Sequence, residues 1–320
     1  MAGAPATKVG DLGEFGMIAK VTEGLAMPPA VSIGPGDDAA CFLLDGSAVV
    51  STDMYVEGTH FRTEWSDAGD IGRKVVAASV ADIEAMGAVP VTLLVALGLP
   101  RDTDEAWFEA FTDGVRQECV RANVALVGGD LSMAPQVVAT VTVVGQTGAV
   151  APVTRAGAEP GQLVAMIGRL GWAAAGLAAL GRGFRSPKAV VDAHRFPQVP
   201  YGAGRDGALN GATAMIDVSD GLLADLRHVA ETSGVVIDVD TSKLTIGEPV
   251  AAVAQALGVD PLDYVLTGGE DHALVATFNL GDVPTGWVVI GRVFGPAQGL
   301  DPGVLVDGQY PADAGGWRHF

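Results

Sequence analysis

The sequence Ala-Thr-Ala-Met-Ile-Asp-Val-Ser-Asp-Gly-Leu-Leu, residues 212–223, predicts a strand, a tight turn and the start of a helix. The apolar run over 212–217 is typical of a buried strand. Two acids, a serine and a glycine then favour a turn, and a helix is predicted over 221–232, before a second strand at 235–239. We therefore expect an α/β unit. Ser219 would cap its helix, and Asp217 and Asp220 would lie at the helix N-terminus, where backbone amides favour phosphate.

A similar mixture of strands and helices extends from this unit through the rest of the chain. Helices are predicted at 12–25, 67–87, 104–122 and 171–180, and strands at 47–52, 91–99, 124–127, 137–145 and 162–168. Residues 182–200 are predicted to be irregular. A turn-rich stretch at 147–161 separates an N-terminal domain, 1–148, from a C-terminal domain, 149–320. The predicted fold class is α/β with mixed (α+β) sheets, in two domains.

The composition excludes several classes of protein. Hydrophobic residues make up 49% of the 320 residues, and 19 Lys and Arg against 38 Asp and Glu give a net charge of −19. This charge argues against nucleic-acid binding and against anionic membrane surfaces, because both need cationic side chains. The two cysteines form no disulfide framework, no apolar run is as long as a membrane span, and the first 16 residues do not resemble a signal peptide. We expect a cytoplasmic protein.

Acidic residues beside Gly, Ser or Thr recur at predicted strand ends. The five instances are Gly36-Asp37-Asp38, Ser51-Thr52-Asp53, Gly128-Gly129-Asp130, Asp217-Val218-Ser219-Asp220-Gly221 and Gly268-Gly269-Glu270-Asp271. Each alone is typical of a turn or a helix cap, but loops at strand ends are where α/β folds build sites. The sequence has no G-x-x-x-x-G-K-[ST] phosphate loop, since none of its lysines follows a glycine. Clustered carboxylates favour Mg²⁺ instead, and several Mg²⁺ ions would allow an acidic protein to bind a nucleoside triphosphate.

The predicted helix at 67–87 contains two acids with different expected surroundings. Asp82 lies on the flank of the apolar sector formed by Val75, Val80 and Ile83, where a carboxylate is costly unless it is paired or bound to a metal. A hydrogen bond from a neighbouring backbone group is the alternative. Glu84 points away from this sector and is predicted to be solvated.

Seven stretches resemble the thiamine-monophosphate kinase family, a branch of the ATP-binding superfamily that includes aminoimidazole ribonucleotide synthetase and selenophosphate synthetase. They are Gly-Asp-Asp-Ala-Ala (36–40), Ser-Thr-Asp-Met-Tyr-Val-Glu-Gly-Thr-His-Phe (51–61), Ala-Asp-Ile-Glu-Ala-Met-Gly-Ala-Val-Pro (81–90), Gly-Gly-Asp (128–130), Thr-Arg-Ala-Gly-Ala (154–158), Asp-Val-Ser-Asp-Gly-Leu (217–222) and Gly-Gly-Glu-Asp (268–271). They span nearly the whole chain in the family's order. The resemblance implies an aminoimidazole ribonucleotide synthetase-like fold, with an N-terminal sheet domain that forms a homodimer and a C-terminal α/β domain that completes the active site.

The resemblance also implies a reaction and its residues. The reaction is in-line transfer of the ATP γ-phosphoryl group to thiamine monophosphate, assisted by several Mg²⁺ ions, without a covalent nucleophile of the protein. By position, the Mg²⁺ ligands are Asp38, Ser51, Thr52, Asp53, Asp82, Asp130, Asp217 and Asp220. The ATP contacts are Gly129, Asp130, Arg155 and Ser219, and the thiamine contacts are His60, Glu270 and Trp317. Asp37 and Asp271 lie beside matched positions and are second-rank candidates, and Phe111 is the candidate for an adenine contact.

Three stretches depart from the usual family pattern, and two alternatives stay open. Leu131 and Ser132 replace two threonines, Ser79-Val80-Ala81 replaces Asn-Leu-Ser, and His272 replaces a tyrosine. One alternative is another ATP-using enzyme of the same superfamily. The other is a non-catalytic protein that binds divalent cations or nucleotide, which predicts nucleotide binding without turnover.

Overall fold

The computed structural model describes residues 7–296 and 301–311, and the chain divides into two compact units. The first unit comprises the chain up to Val80 together with Pro90–Gly148, and the second comprises Ala81–Val89 together with the chain from Ala149 onwards. Each unit contains a sheet and helices, which confirms the predicted α/β class. Within the described residues, every helix falls short of the length and apolar character that a membrane crossing needs.

The first unit is built around a four-stranded mixed sheet. The elements of this part of the chain are α1 (Val9–Thr22), β1 (Val31–Ile33), β2 (Cys41–Phe42), β3 (Ala48–Val56), α2 (Ala68–Ala85), β4 (Val89–Leu99), α3 (Glu105–Ala122), β5 (Ala125–Met133) and β6 (Val138–Gln146). The sheet has the order β3-β6-β4-β5, in which β3 is antiparallel to β6 and β4 is parallel to β5. β1 and β2 form a separate antiparallel pair.

Helix α3 connects the parallel strands β4 and β5 and packs by one apolar face. Phe108, Phe111, Val115 and Cys119 recur every three or four residues and are buried. The helix ends at Asn123, whose left-handed backbone (φ 51°) makes the C-cap. Phe111 is 2% exposed and stacks on Trp107 with ring centroids 5.6 Å apart. It therefore belongs to the core, which removes it as a candidate for an adenine contact.

The second unit contains a six-stranded sheet in the order β12-β9-β11-β7-β10-β8. Its elements are β7 (Leu163–Ile167), α4 (Trp172–Gly181), α5 (Lys188–Arg195), α6 (Ala203–Leu209), β8 (Ala214–Asp217), α7 (Leu222–Ser233), β9 (Val236–Val239), a 3-10 turn (Thr241–Lys243), α8 (Glu248–Leu257), α9 (Pro261–Thr267), β10 (Leu274–Phe278), β11 (Val288–Phe294) and β12 (Gly303–Val306). Neighbouring strands of this sheet are antiparallel, except that β12 is parallel to β9. Leu222, Leu226 and Val229 of α7 pack with Ile216 and Ile237 of the sheet in one core.

The elements that the sequence predicted are present, with differences in three places, whereas α6, α8, α9, β11 and β12 were not predicted. Ser51-Thr52-Asp53 lies inside β3, and Gly128-Gly129-Asp130 lies inside β5, although both were predicted to follow strands. Polar residues and glycines suggested turns there, but main-chain pairing with β6 and β4 continues through them. Residues 182–200 contain the two-turn helix α5, whose flanking prolines 187 and 197 suggested an irregular segment.

The prediction that Glu84 is solvated is also wrong. Glu84 is 2% exposed, and its Oε1 and Oε2 accept the backbone N–H groups of Gly202 (2.8 Å) and Gly204 (3.0 Å) at the start of α6. Burial raises the pKa of this carboxyl, although the two N–H groups act in the opposite direction. A Cβ on Gly204 would lie 1.9 Å from the Glu84 carbonyl oxygen, so the close packing of this segment requires glycine. The helical wheel of α2 identifies only the apolar face, and it cannot show that Glu84 packs against the segment at Gly202 and Gly204.

We predict that Glu84→Ala lowers the free energy of unfolding by about 2–4 kcal/mol, because two amides lose their acceptor and a cavity forms. Glu84→Gln should lose less, since its amide oxygen still accepts one N–H group. Urea denaturation measures both variants, with Glu231→Ala on the exposed face of α7 as the control, expected within about 0.5 kcal/mol of wild type. Equal stability of wild type and Glu84→Ala would contradict this role for Glu84.

Candidate active site

The turn between β8 and α7 carries three predicted site residues. Asp217 is the last residue of β8 and is 4% exposed, and Ser219 and Asp220 follow it. Gly221 precedes α7 with φ 128°, and a Cβ there would lie 2.6 Å from the Thr267 carbonyl oxygen. Glycine is therefore required at this position. Gly221 is the N-cap of α7, so the prediction that Ser219 caps this helix is wrong.

Main-chain hydrogen bonds join this turn to the Gly-Gly-Glu-Asp stretch. Val218 donates its N–H to Ala273 O (2.8 Å), His272 donates to Val218 O (2.9 Å), and Glu270 donates to Ser219 O (2.7 Å). Glu270 and His272 adopt left-handed backbones, with φ 64° and 50°. A Cβ on Gly269 would lie 2.4 Å from the Ser219 carbonyl oxygen. Two of the predicted acidic loops are thus held side by side.

Asp225, one turn into α7, supports the same turn from the helix side. It is 3% exposed, and its Oδ2 accepts the N–H groups of Asp220 and Gly221, each at 3.0 Å. Burial, reinforced by the charge of Asp217, raises the pKa of the Asp225 carboxyl to about 7. The sequence prediction missed this residue. The available signal was an acid within the apolar stripe formed by Leu222, Leu226 and Val229.

The side chain of His272 contacts Asp217. Its Nδ1 lies 2.9 Å from Asp217 Oδ2, and both side chains are buried. Burial acts to lower the pKa of His272, but the hydrogen bond with Asp217 and the charges of Asp217, Glu270 and Asp82 outweigh it and raise the pKa. Negative potential is therefore concentrated around His272. Its sources are Asp217, Glu270 and Asp82, which the sequence predicted for metal or substrate binding.

Asp271, a second-rank candidate, supports helix α4. It is 7% exposed, and its two carboxylate oxygens accept the N–H groups of Gly171 (2.5 Å) and Ala173 (2.9 Å) at the start of that helix. Burial raises its pKa to about 7, although these two N–H groups and the charges of Arg169 and His272 act against the shift. The neighbouring Glu270 is partly exposed, with Oε2 3.9 Å from His194 Nδ1.

In the first unit, β3 separates its three predicted metal ligands between two faces. Side chains alternate along a strand, so Ser51 and Asp53 share one face and Thr52 lies on the other. Thr52 Oγ1 is 2.9 Å from Thr142 Oγ1 and 3.2 Å from Val141 O on β6. The side chain of Thr52 therefore points away from Ser51 and Asp53.

On β5, Gly129 and Asp130 are exposed at the other edge of the same sheet. A Cβ on Gly129 would lie 1.9 Å from Val95 O, which explains the glycine. Ser132 Oγ donates to Asp130 Oδ2 at 2.9 Å, so a hydroxyl contacts this acid even though Leu131 occupies the next position. Two strands separate β5 from β3, and Asp53 and Asp130 are not neighbours in the sheet.

The remaining candidates have the following surroundings. His60 Nδ1 accepts the Val56 N–H at 3.0 Å, which places the proton of the neutral imidazole on Nε2. Asp37 and Asp38 are exposed before β2, where Asp37 Oδ1 accepts the Asp38 N–H at 2.9 Å. Arg155 is exposed, and its carbonyl oxygen accepts the Ser233 hydroxyl at 3.1 Å. Trp317 lies outside the described residues.

The described residues contain no group of three or more His, Cys, Asp or Glu side chains that converge on one metal position. A site with fewer than three such side chains still fits Mg²⁺. That ion usually takes one or two carboxylates and completes its octahedron with water and substrate phosphates, rather than with an all-protein cage. The donors on hand are carboxylates and hydroxyls, which are the oxygen ligands that Mg²⁺ prefers.

Comparison with known proteins agrees with this architecture. The chain matches the families described as AIR synthase related protein, N-terminal domain, over residues 36–147, and AIR synthase related protein, C-terminal domain, over residues 159–282. A thiamine-monophosphate kinase of Mycobacterium tuberculosis is 48% identical over 312 residues, which cover 97% of this chain and 92% of the relative. One from Corynebacterium glutamicum is 41% identical over 322 residues, which cover 98% and 95%.

A solved structure agrees as well. The structure described as AaThiL complexed with AMPPCP and TMP has a TM-score of 0.79 and 29% identity to this chain, and the match covers 99% of this chain and 100% of that one. The relatives match over nearly the whole chain and well above 30% identity. This chain therefore belongs to the thiamine-monophosphate kinase family.

Proposed function

We propose that this protein transfers the γ-phosphoryl group of ATP to thiamine monophosphate and produces thiamine diphosphate and ADP. The observation that carries the proposal is the pairing of residues 217–219 with 270–273, in a chain 48% identical to a thiamine-monophosphate kinase. This pairing sets Asp217, Ser219 and Glu270 beside one another. The related structure with AMPPCP and TMP supports a nucleotide and a thiamine phosphate as the two ligands.

Several Mg²⁺ ions are part of the proposal, on the basis of the available donors. The residues proposed to hold them are Asp38, Ser51, Asp53, Asp82, Asp130, Asp217 and Asp220, together with main-chain atoms of Thr52. Bound Mg²⁺ would supply positive charge that neutralises the phosphates and stabilises the charge that develops during transfer. One carboxylate oxygen of Asp217, Oδ2, is engaged by His272. We therefore propose the other oxygen, Oδ1, as the one that binds a cation.

The chain's own residues are proposed to position the two substrates for in-line attack. Gly129, Asp130, Arg155 and Ser219 contact ATP, and the Arg155 guanidinium suits phosphate because it offers a fixed fork of donors. His60, Glu270 and Trp317 contact the thiamine substrate, with the His60 Nε2–H as a hydrogen-bond donor. The acceptor phosphate is already ionised at neutral pH, so positioning rather than a general base supplies the catalysis.

We also propose a cytoplasmic location. Cys41 and Cys119 are both free thiols, one exposed and one buried. Free cysteines suit a reducing compartment, in which ATP is also available as a substrate.

Product analysis tests the proposed reaction. Purified protein is incubated with ATP, Mg²⁺ and thiamine monophosphate, and ³¹P NMR follows the phosphorus-containing products. We expect the diphosphate ester and ADP to form in equal amounts, and none without the thiamine substrate. ADP with free phosphate would indicate another enzyme of the superfamily, and Mg²⁺-dependent ATP binding without turnover would indicate a binding protein.

We predict that Asp53→Asn lowers kcat by about 100-fold or more, because the proposed metal position on β3 loses a charged ligand. The substitution keeps the size of the side chain, so the circular dichroism spectrum and melting temperature should change little. Steady-state kinetics measures the effect. Asp113→Asn is the matched control, since Asp113 is an exposed acid on α3 of the same unit. Near-normal turnover of Asp53→Asn would exclude Asp53 as a metal ligand.

A homodimer formed through the first unit's sheet is the remaining part of the proposal. β3 is an edge strand nine residues long, and its outward face carries Val50, 60% exposed, and Met54, 58% exposed. Exposed apolar side chains in a row on a sheet favour burial against another protein surface. A second copy offers the same apolar row, so a symmetric contact covers both.

We predict that wild-type protein sediments as a dimer and that the double variant Val50→Glu/Met54→Glu sediments as a monomer, because like charges would face each other across the contact. Val120→Glu is the control, since Val120 is 80% exposed on α3 and belongs to a different surface. Analytical ultracentrifugation distinguishes the two states. A monomeric wild type, or a double variant that remains dimeric, would contradict this interface.

A further inference from the structure

The turn formed by residues 217–221 is fixed by a side chain that is not among the proposed ligands. The N–H groups of Asp220 and Gly221 both donate to one oxygen, Asp225 Oδ2, each at 3.0 Å. Asp225 is 3% exposed and belongs to α7, whose residues Leu222, Leu226 and Val229 are packed in the core. Because both hydrogen bonds end on a side chain of a packed helix, the turn is held rigidly against that helix.

This restraint complements the one on the strand side. Asp217 is held by His272 Nδ1 at 2.9 Å, and His272 is itself fixed by the bond from its N–H to Val218 O. Asp217 and Asp220 therefore both belong to a turn that is restrained from its strand side and from its helix side. Without these contacts the five-residue turn would be flexible, because it ends at a glycine and ordering each backbone residue costs conformational entropy.

Direct ligation by Asp225 does not fit the same geometry. Its Oδ2 already accepts two N–H groups, and the residue is 3% exposed, whereas Asp220 is only partly buried. Some residues orient metal ligands without touching the metal, and removing such a residue typically lowers metal affinity 10–100-fold.

We infer that Asp225 is a positioning residue, which shapes the 217–221 turn so that the carboxylates of Asp217 and Asp220 meet a divalent cation without Asp225 touching that cation. The inference rests on the proposed function for the presence of a cation at this turn. Shaping the turn requires the Asp225 oxygen that accepts the two N–H groups, and it does not require the negative charge of Asp225.

Two substitutions separate these properties. Asp225→Asn keeps an acceptor oxygen where Oδ2 stands and removes the charge, whereas Asp225→Ala removes both. Mn²⁺ is the probe, and electron paramagnetic resonance of free Mn²⁺ measures its binding in the presence of a non-hydrolysable ATP analogue. We expect Asp225→Ala to weaken Mn²⁺ binding about 10–100-fold, and Asp225→Asn to stay within about threefold of wild type. Glu231→Ala, on the exposed face of α7, serves as the control and should bind Mn²⁺ as wild type does.

A metal-free measurement provides the second readout. Amide hydrogen exchange of the peptide that contains 217–221, followed by mass spectrometry in the presence of EDTA, should be faster in Asp225→Ala than in wild type. Exchange in Asp225→Asn should match wild type. Peptides from β11 should exchange equally in all variants if the change is confined to the turn.

The Mn²⁺ affinities of the two Asp225 variants decide whether Asp225 is a positioning residue. Loss of Mn²⁺ affinity in Asp225→Asn would overturn the inference, because it would show that the charge is needed. Wild-type affinity in Asp225→Ala, with only a lower melting temperature, would overturn it in favour of a purely structural role. If Asp225→Ala does not fold, Asp225→Asn still decides, since retained affinity supports the inference and lost affinity overturns it. A wild type that binds Mn²⁺ but does not phosphorylate thiamine monophosphate would refute the proposed function and leave this inference standing.

Discussion

Main-chain hydrogen bonds between residues 217–219 and 270–273 hold two acidic loops of the second unit together, and the positions of its candidate site residues depend on them. Val218 both donates to Ala273 and accepts from His272, and Ser219 accepts from Glu270. These bonds continue the pairing of β8 with β10 beyond the ends of the strands. Side chains far apart in sequence are therefore placed by main-chain hydrogen bonds, which buried backbone N–H and C=O groups must form.

Buried carboxylates are the second unit's recurrent means of fixing its helices. Glu84, Asp225 and Asp271 are each less than one tenth exposed, and each accepts two main-chain N–H groups near the start of a helix: α6, α7 and α4. Helix N-termini have unpaired N–H groups and a positive dipole end, so a carboxylate is a suitable partner there. Part of the chain's large acidic excess thus has a structural use, although composition alone suggests an effect on solubility.

The sequence predicted the strand–turn–helix at 212–232 well, because an apolar run, turn residues and a helical pattern coincide there. It predicted β3 and β5 too short, since Asp53 and Gly129 suggest turns when the pairing partner is unknown. The surroundings of Glu84 were beyond sequence patterns, because a helical wheel identifies one apolar face and its partners Gly202 and Gly204 are brought near only by the tertiary fold. Asp225 was missed for a different reason. Its partners Asp220 and Gly221 are local, and an acid within the apolar stripe of α7 was a signal that the sequence analysis did not use. The family assignment was predictable because seven short motifs keep their order over nearly the whole chain.

The most direct measurement is a crystal structure of the protein with Mg²⁺, a non-hydrolysable ATP analogue and thiamine monophosphate. We expect nucleotide phosphates at residues 217–221 and a cation on Asp217 Oδ1, since Oδ2 is held by His272. We also expect Glu270 to contact the thiamine substrate. A nucleotide bound away from this turn, or a thiamine substrate that does not contact Glu270, would contradict the central claim that the paired loops form the substrate site.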